Sequence, residues 1–394
     1  MSKACERIAE EIDEQGAITF RRFMELALYC PNCGYYDTEE DIIGRRGDYY
    51  TSVSAGSLFG ELLGWQFANW VEQSGLGPPC PEGPNQAIRI VEAGAHSGRL
   101  CRDILSWMRD YRPALFERLH YWIVEHSNRR RDWQKQNLAA FSHKVRWATQ
   151  LGELECPVAS EPRAPHAPEA REIIFSNELL DAMPVHRLGW DAKKRSWFEW
   201  GVAIEAGRFV WTRVADKAQA GDYSRSKEPA AFPRRWLPSD GDLLAMLPDG
   251  FSIEVCPAAE KWWREAANIL TRGKLVAIDY GLTADELIMP ERKEGTLRAY
   301  RHHRMSSDVL ACPGEQDITA HVNFVAIQAV GESASLRTDG LLTQAQFLTR
   351  IAGQTWQNEG CFGKWTAERI RQFQTLTHPE HLGRSFRVLV QSRD

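Results

Sequence analysis

The sequence predicts a Rossmann-like α/β fold: a mostly parallel seven-stranded sheet with helices on both faces, a helical N-terminal extension and an inserted antiparallel β-meander. Three observations predict it. From residue 87 onward, short β-type runs alternate with helical stretches, and that rhythm implies right-handed crossovers and a parallel sheet. The first run leads through a glycine turn directly into a helix, as at the ligand-binding edge of open α/β sheets. Residues 186–250 then break the alternation with aromatic-rich runs separated by turns. With 394 residues, 43% of them hydrophobic, the chain can bury one sizeable core carrying large insertions.

The elements follow in order. Residues 1–86 form the helical extension, which also carries a loop able to cover a ligand. Met1 to Gly16 is acidic and amphipathic, and Ile18 to Leu28 and Leu58 to Val71 carry helical apolar spacing. Between the last two lies a Gly- and Asp-rich loop, Gly44 to Ser54. Gly75 to Gly83 holds three prolines and three glycines and marks a boundary. Residues 87–394 form the core. Its strands are Ala87 to Glu92, Tyr121 to Glu125, Lys144 to Trp147, Glu172 to Ser176, Lys274 to Asp279, Ser335 to Arg337 and Phe386 to Val390. Helices are expected at Leu100 to Tyr111, after the second strand through about Phe141, and at Pro257 to Thr271. Inside the core, residues 186–250 form the meander, with strands at Trp197 to Trp200, Gly201 to Ile204 and Phe209 to Val214, and could serve as a substrate lid.

Composition excludes several classes of function. The net charge of −5 shows no basic excess, so no nucleic-acid partner is expected. No run approaches the roughly 20 apolar residues that cross a bilayer, so no membrane association is expected either. Met1 to Gly16 lacks the apolar core of a signal peptide and the Arg-rich character of a transit peptide, which predicts a cytoplasmic protein. Nine thinly spread cysteines suit reduced thiols. Cys30-Pro31-Asn32-Cys33 reads as a turn with two incidental thiols; no second pair completes a zinc set, and no metal is expected.

The most informative local feature is Val91-Glu92-Ala93-Gly94-Ala95-His96-Ser97-Gly98-Arg99-Leu100, between a predicted strand and a predicted helix. A dinucleotide fingerprint would need glycine at 96 and 99, where His96 and Arg99 stand. Gly94 and Gly98 would let the backbone approach a ligand closely. Glu92 suits a cationic ammonium, and Glu125, ending the second strand, can accept both hydroxyls of a ribose. A tight turn flanked by ordinary acids accounts for the same residues, and both readings stay open at this point.

Further motifs turn these features into a family resemblance. Gly47-Asp48-Tyr49-Tyr50-Thr51-Ser52, Phe59 to Gly64, Glu92 to Leu100, Asn177 to His186, Asp279-Tyr280-Gly281, Gly295 to Tyr300 and Asp317 to Phe324 stand in the order found in the MidA family of class I methyltransferases. The sequence resembles that family from about Ile18 to Val390. The family includes a mitochondrial assembly factor that methylates an arginine in a core subunit of respiratory complex I. The resemblance implies S-adenosyl-L-methionine as cofactor and a protein substrate. The sequence leaves the oligomeric state open, a homodimer included. Three positions depart from the pattern: His96 replaces a glycine of the cofactor loop, Val53-Ser54 replaces Pro-Glu, and Asn323 replaces an acid.

Methyl transfer from a sulfonium is an in-line displacement, so the protein mainly aligns the nucleophile and excludes water. Residues after the fourth strand should face the methyl group, which makes Asn177, Glu178 and Asp181 the catalytic candidates. Glu178 and Asp181, three apart, would share one face of a helical turn and could grip a guanidinium. Asn177 or Asp181 could instead cap a following helix. Gly47, Asp48, Thr51 and Ser52 are candidates for a loop folding over the cofactor, or for a turn ahead of the next helix. His321 reads equally as a structural histidine or a base. Two other functions stay open: an assembly or binding factor that keeps the fold without turnover, and a small-molecule O- or N-methyltransferase.

Overall fold

The computed structural model describes residues 2–37, 51–73, 87–154, 171–214, 241–301, 304–380 and 382–394. The chain divides into two compact units, one comprising Met1–Tyr49, Asp181–Glu260 and Leu282–Ile327, the other Tyr50–Leu180, Lys261–Gly281 and Gln328–Asp394.

The second unit carries the parallel sheet. Its strands are β1 (Ile88–Ala93), β2 (Leu119–Val124), β3 (Val145–Ala148), β4 (Arg171–Asn177), β5 (Gly273–Leu282), β6 (Arg337–Thr343) and β7 (Phe386–Arg393). They lie in the order β6-β7-β5-β4-β1-β2-β3. The five strands β5 to β3 along this path are mutually parallel, whereas β7 runs antiparallel to both β5 and β6. Central strands buried on both faces should be continuous apolar runs, and Ile173, Ile174 and Phe175 of β4 and Leu275 to Ile278 of β5 are all buried. Against this sheet pack helices α1 (Leu58–Gln73), α2 (Arg99–Tyr111) and α4 (Gln344–Thr355), through Leu62, Phe67, Ile104, Leu105, Phe347 and Leu348 among others. Helix α3 (Asn128–Asn137) connects β2 to β3 and buries only Gln134.

The run Phe59 to Gly64 explains itself at the α1–α2 contact. A Cβ on Gly60 would lie 2.6 Å from Asp103 Cβ, and one on Gly64 would lie 3.1 Å from the Trp107 ring. The two glycines four apart let the helix backbones approach closely, so this motif is about packing. Gly60→Ala is expected to cost about 1–3 kcal/mol, the usual penalty of overpacking a filled core, with Gly64→Ala milder. Chemical denaturation of both variants checks this, and equal stabilities would contradict the steric ordering.

The first unit is antiparallel. Strands Ile18–Thr19, Ser196–Glu205, His186–Asp191 and Ser252–Val255 pair in that order, with Arg208–Arg213 beside Ser196–Glu205. The expected break at Gly201 does not occur. Residues 196–205 are one strand, and Gly201 sits inside it opposite Thr19 and Thr212. The turn falls instead at Ala206-Gly207, both at positive φ (47° and 74°), as the twist of a tight hairpin requires. Helices Lys3–Gln15 and Phe20–Tyr29 cover this sheet through Ile8, Ile12, Phe20, Phe23 and Met24, packed with Val202 and Ile318. Arg298–Arg301, Arg304–Ser306 and Asp317–Thr319 make a second, three-stranded sheet.

Two smaller expectations are corrected. Cys30 and Cys33 form a disulfide across their turn, where two free thiols were expected. The strand expected at Ser335 to Arg337 runs instead over Arg337–Thr343, its exposed, polar start having hidden it. Among the described residues no helix is long and apolar enough to cross a membrane, and no group of His, Cys, Asp and Glu is placed to hold a metal.

Candidate functional site

All the geometry below lies in the parallel-sheet unit unless stated. β1 ends at Ala93, and the chain turns at Gly94 with φ 76°. A Cβ there would stand 3.0 Å from Leu179 Cδ1, so the turn needs glycine both for its left-handed backbone and for this clearance. His96 also adopts positive φ (45°), as does Gly98 (79°) immediately before α2. The amide of Gly98 donates to Ala95 O at 2.7 Å and closes the turn. Two side chains of α3 then hold the loop carbonyls: Gln134 Nε2 donates to His96 O and Asn137 Nδ2 to Ser97 O, both at 2.9 Å. The His96 imidazole is pushed down to about 3 by burial, helped by Arg130 and Arg99, and is neutral at physiological pH.

Glu125 lies directly after β2 and is buried. One carboxylate oxygen accepts the Ser127 amide at 3.0 Å and the other accepts Gln134 Nε2 at 3.3 Å. Glu92, near the end of β1, is only 2% exposed and accepts a 2.7 Å hydrogen bond from Tyr121 OH. Burial raises its carboxyl to about 7; Asp103 adds to the rise and Tyr121 opposes it.

A second cluster surrounds Glu178. No helix follows β4: residues 178–185 are bends, one turn and irregular backbone, so the three-residue spacing of Glu178 and Asp181 does not place them on one helical face. Neither Asn177 nor Asp181 caps a helix there. Instead Glu178 takes a left-handed backbone, φ 53°. Its amide donates to Ile278 O of β5 at 2.9 Å. The next two amides, Leu179 and Leu180, donate to Asp279 Oδ2 at 3.1 and 2.8 Å. These bonds draw the backbone away from a helix. The Glu178 carboxylate accepts the Ser52 amide at 3.3 Å and Asn177 Nδ2 at 3.1 Å, both on Oε1. Asn177 Oδ1 is buried and has no hydrogen-bond partner among the described residues.

Ser52 is itself fixed. Its hydroxyl donates to Gln344 Oε1 at 3.0 Å, and Gln344 Nε2 donates to Leu376 O at 3.0 Å. Thr51 closes a turn with Ser54 through paired bonds of 2.8 and 3.0 Å. Gly47 and Asp48 lie outside the described residues. Asp181 belongs to the antiparallel unit, where it is buried and its carbonyl accepts the Ala320 amide at 2.9 Å. His321, in that same unit, accepts through its surroundings the neutral form, its imidazole lowered to about 4 by burial and by Arg298 and Arg292.

The structure thus groups Glu92, Gly94, Gly98 and Glu125 around the β1 and β2 ends, and Ser52, Asn177 and Glu178 at the β4 end. Gln134, Asp279 and Gln344 are the partners that hold these groups, and none of the three was among the expected site residues. Asp279 carried a signal, since it opens the Asp-Tyr-Gly run after the fifth strand. Gln134 and Gln344 carried none, being single polar residues whose burial depends on tertiary contact.

Comparison with known proteins identifies the family and the fold. Residues 62–342 match the family described as “Putative S-adenosyl-L-methionine-dependent methyltransferase”. The chain is 28% identical over 402 residues to the Drosophila melanogaster “Protein arginine methyltransferase NDUFAF7 homolog, mitochondrial”, covering 97% of this chain and 83% of that protein. Its identity to the human “Protein arginine methyltransferase NDUFAF7, mitochondrial” is 26% over 397 residues, covering 95% and 80%. A COG1565 superfamily member from Burkholderia thailandensis, crystallised with S-adenosyl-homocysteine, superposes with a TM-score of 0.77 at 29% identity, covering 99% of this chain and 92% of that one. These relatives overturn the cytoplasmic placement expected from the N-terminal composition, because they are mitochondrial by name. The acidic amphipathic segment behind that expectation is the helix Lys3–Gln15, whose Ala4, Ile8 and Ile12 are buried. Its composition reports on packing, not on compartment.

Proposed function

The chain belongs to the S-adenosyl-L-methionine-dependent methyltransferase family that its residues 62–342 match, and on that premise we propose that it methylates an arginine side chain of a protein. S-adenosylmethionine supplies a methyl group already made electrophilic by its sulfonium. The residues present fit it. Gly94, with no side chain and a left-handed backbone (φ 76°), would let the turn's backbone approach the cofactor. Glu125 would take the ribose hydroxyls and Glu92 would face the amino-acid tail.

The single observation that carries the acceptor assignment is the pair Asn177 and Glu178 at the end of β4. A carboxylate oriented by Ser52 and Asn177 stands beside a buried amide oxygen that has no donor among the described residues. Unsatisfied buried acceptors are rare in native proteins, and a donor from a bound acceptor substrate would satisfy this one. A guanidinium offers five N–H groups in a planar fork and no acceptor, which is the complement of this pair. The relatives are named as protein arginine methyltransferases, and an arginine side chain brings this same guanidinium. Glu178 and Asn177 would hold the guanidinium, orient one nitrogen and keep water from it.

A cell extract incubated with methyl-labelled S-adenosylmethionine tests this. Label is expected in protein, released on hydrolysis as methylarginine. Label confined to small molecules would replace the proposal with the small-molecule reading, and cofactor binding with no label transferred would favour an assembly factor without turnover. Glu125→Ala is expected to weaken S-adenosylhomocysteine binding by roughly 1–3 kcal/mol, the cost of losing hydrogen bonds to a charged group. Titration calorimetry measures it, and an unchanged Kd removes Glu125 from the cofactor site. A homodimer is a separate proposal, checked by light scattering across concentrations.

A further inference from the structure

We infer that Gln134 is the positioning residue that locks the cofactor turn and the ribose carboxylate into one arrangement. This inference rests on the proposed roles of Glu125 and the Gly94–Gly98 turn. Gln134 is 0% exposed and is the one buried residue of α3, an otherwise polar helix. Its primary amide has two N–H donors, and they serve two different elements. One goes to His96 O at the crest of the glycine turn (2.9 Å) and one to Glu125 Oε2 after β2 (3.3 Å). Its oxygen accepts Trp147 Nε1 of β3 at 2.9 Å, which fixes which end of the amide faces the carboxylate. Three strand ends are therefore tied through one side chain.

Only an amide satisfies all three partners at once. Two acceptors, a carbonyl and a carboxylate, need donors, while the indole N–H needs an acceptor. An apolar residue of similar size leaves all three without that partner. A carboxylate serves the indole but opposes Glu125 and the His96 carbonyl, and it recovers one donor only when protonated. The position also matters for His96. Where the family pattern has glycine, this chain has a side chain at φ 45°, and the bond from Gln134 to His96 O holds that left-handed backbone in place. L residues with side chains occupy this conformation reluctantly, so the bond has a specific job here.

The test uses the full chain with S-adenosylhomocysteine as probe. Gln134→Leu is expected to raise its Kd by about 10- to 100-fold, the range for hydrogen bonds to a charged group, while kcat at saturating S-adenosylmethionine stays within a few-fold, roughly the effect of an uncoupled site. Gln134→Glu is expected to bind as poorly as Gln134→Leu at pH 8 and to recover toward wild type at pH 5.5, measured as the ratio of variant to wild-type Kd at each pH. A purely structural role would lower the melting temperature without that pH-dependent recovery. Should Gln134→Leu fail to fold, the Gln134→Glu ratio alone decides. Unchanged Kd in Gln134→Leu, or a flat pH ratio in Gln134→Glu, overturns the inference. If Glu125→Ala also leaves Kd unchanged, the cofactor assignment itself has failed; if Glu125→Ala weakens binding and the Gln134 variants do not, only the positioning role has.

Discussion

Replacing Glu178 by Gln is expected to cut methyl transfer at saturating cofactor by about 100-fold or more, the range seen when one preorganised polar group is removed from a reaction centre. The Kd for S-adenosylhomocysteine should change little, because the Gly94 turn and Glu125 do not involve Glu178. Gln keeps the length and one acceptor oxygen, so Ser52 and Asn177 can still donate to it. The turn that presents the side chain is held by bonds of the backbone: Glu178 N to Ile278 O, and Leu179 and Leu180 N to Asp279. The variant should therefore fold normally, and what it loses is charge. A guanidinium held by a carboxylate makes charge-assisted bonds about twice as strong as neutral ones. Steady-state transfer with calorimetry on the same preparation separates the two effects. Wild-type turnover in Glu178→Gln would remove the residue from the acceptor site, and loss of cofactor affinity in parallel would make it part of the cofactor site instead.

How much of this was legible in the sequence depends on which forces set each element. β1, β4 and β5 were placed to within a few residues because central parallel strands are buried on both faces and must be apolar throughout. The Gly94–Gly98 turn was legible for a similar reason, since a left-handed bend between strand and helix demands special residues. Asn177 to His186 misled: Glu-Leu-Leu-Asp-Ala-Met has good helix formers, and local propensity points to a helix. The carboxylate of Asp279, a hundred residues away, and the carbonyl of Ile278 capture the amides that a helix would have used. Gln134 was illegible for the opposite reason. Nothing in Asn-Arg-Arg-Arg-Asp-Trp-Gln-Lys-Gln-Asn marks one glutamine as buried, and only the meeting of β1, β2 and β3 ends makes it so. β6 begins with the exposed Arg337 and lies at the sheet edge, where burial imposes little pattern. What sequence reports well, then, is burial of whole elements and forced backbone shapes. It reports poorly on polar groups whose partners come from distant strands.

The second large effect concerns Glu92 and pH. Its carboxyl is raised to about 7 from an ordinary 4.5, first by burial and then by Asp103, against the pull of the Tyr121 hydroxyl. Cys101 lies beside the same pair, its thiol raised by burial and by Glu92. In the unfolded chain Glu92 loses its proton near 4.5, whereas in the folded chain it keeps the proton to about 7. Below 4.5 both states are protonated and the group contributes no difference. Between 4.5 and 7 the folded state binds more protons, so stability falls as pH rises; above 7 the penalty is complete, on the order of 3 kcal/mol. Glu92→Gln keeps an acceptor for Tyr121 and removes the titration. It is therefore expected to match wild type near pH 4.5 and to exceed it by up to about 3 kcal/mol at pH 8, measured as denaturant midpoints across that range. Superimposable curves would show that Glu92 carries no such penalty. A buried acid that weakens the fold at physiological pH calls for a compensating use, and under the proposed cofactor assignment the cofactor's ammonium would provide one. A cation there favours the carboxylate, so binding should release a proton and S-adenosylhomocysteine affinity should rise from pH 6 to pH 8 in wild type. In Glu92→Gln it should be weaker and flat. Stability and affinity would then trade against each other at one side chain, as sites that need an unfavourable charge commonly do. A variant both more stable and equally tight would break that link and leave Glu92 as a core residue with no part in binding.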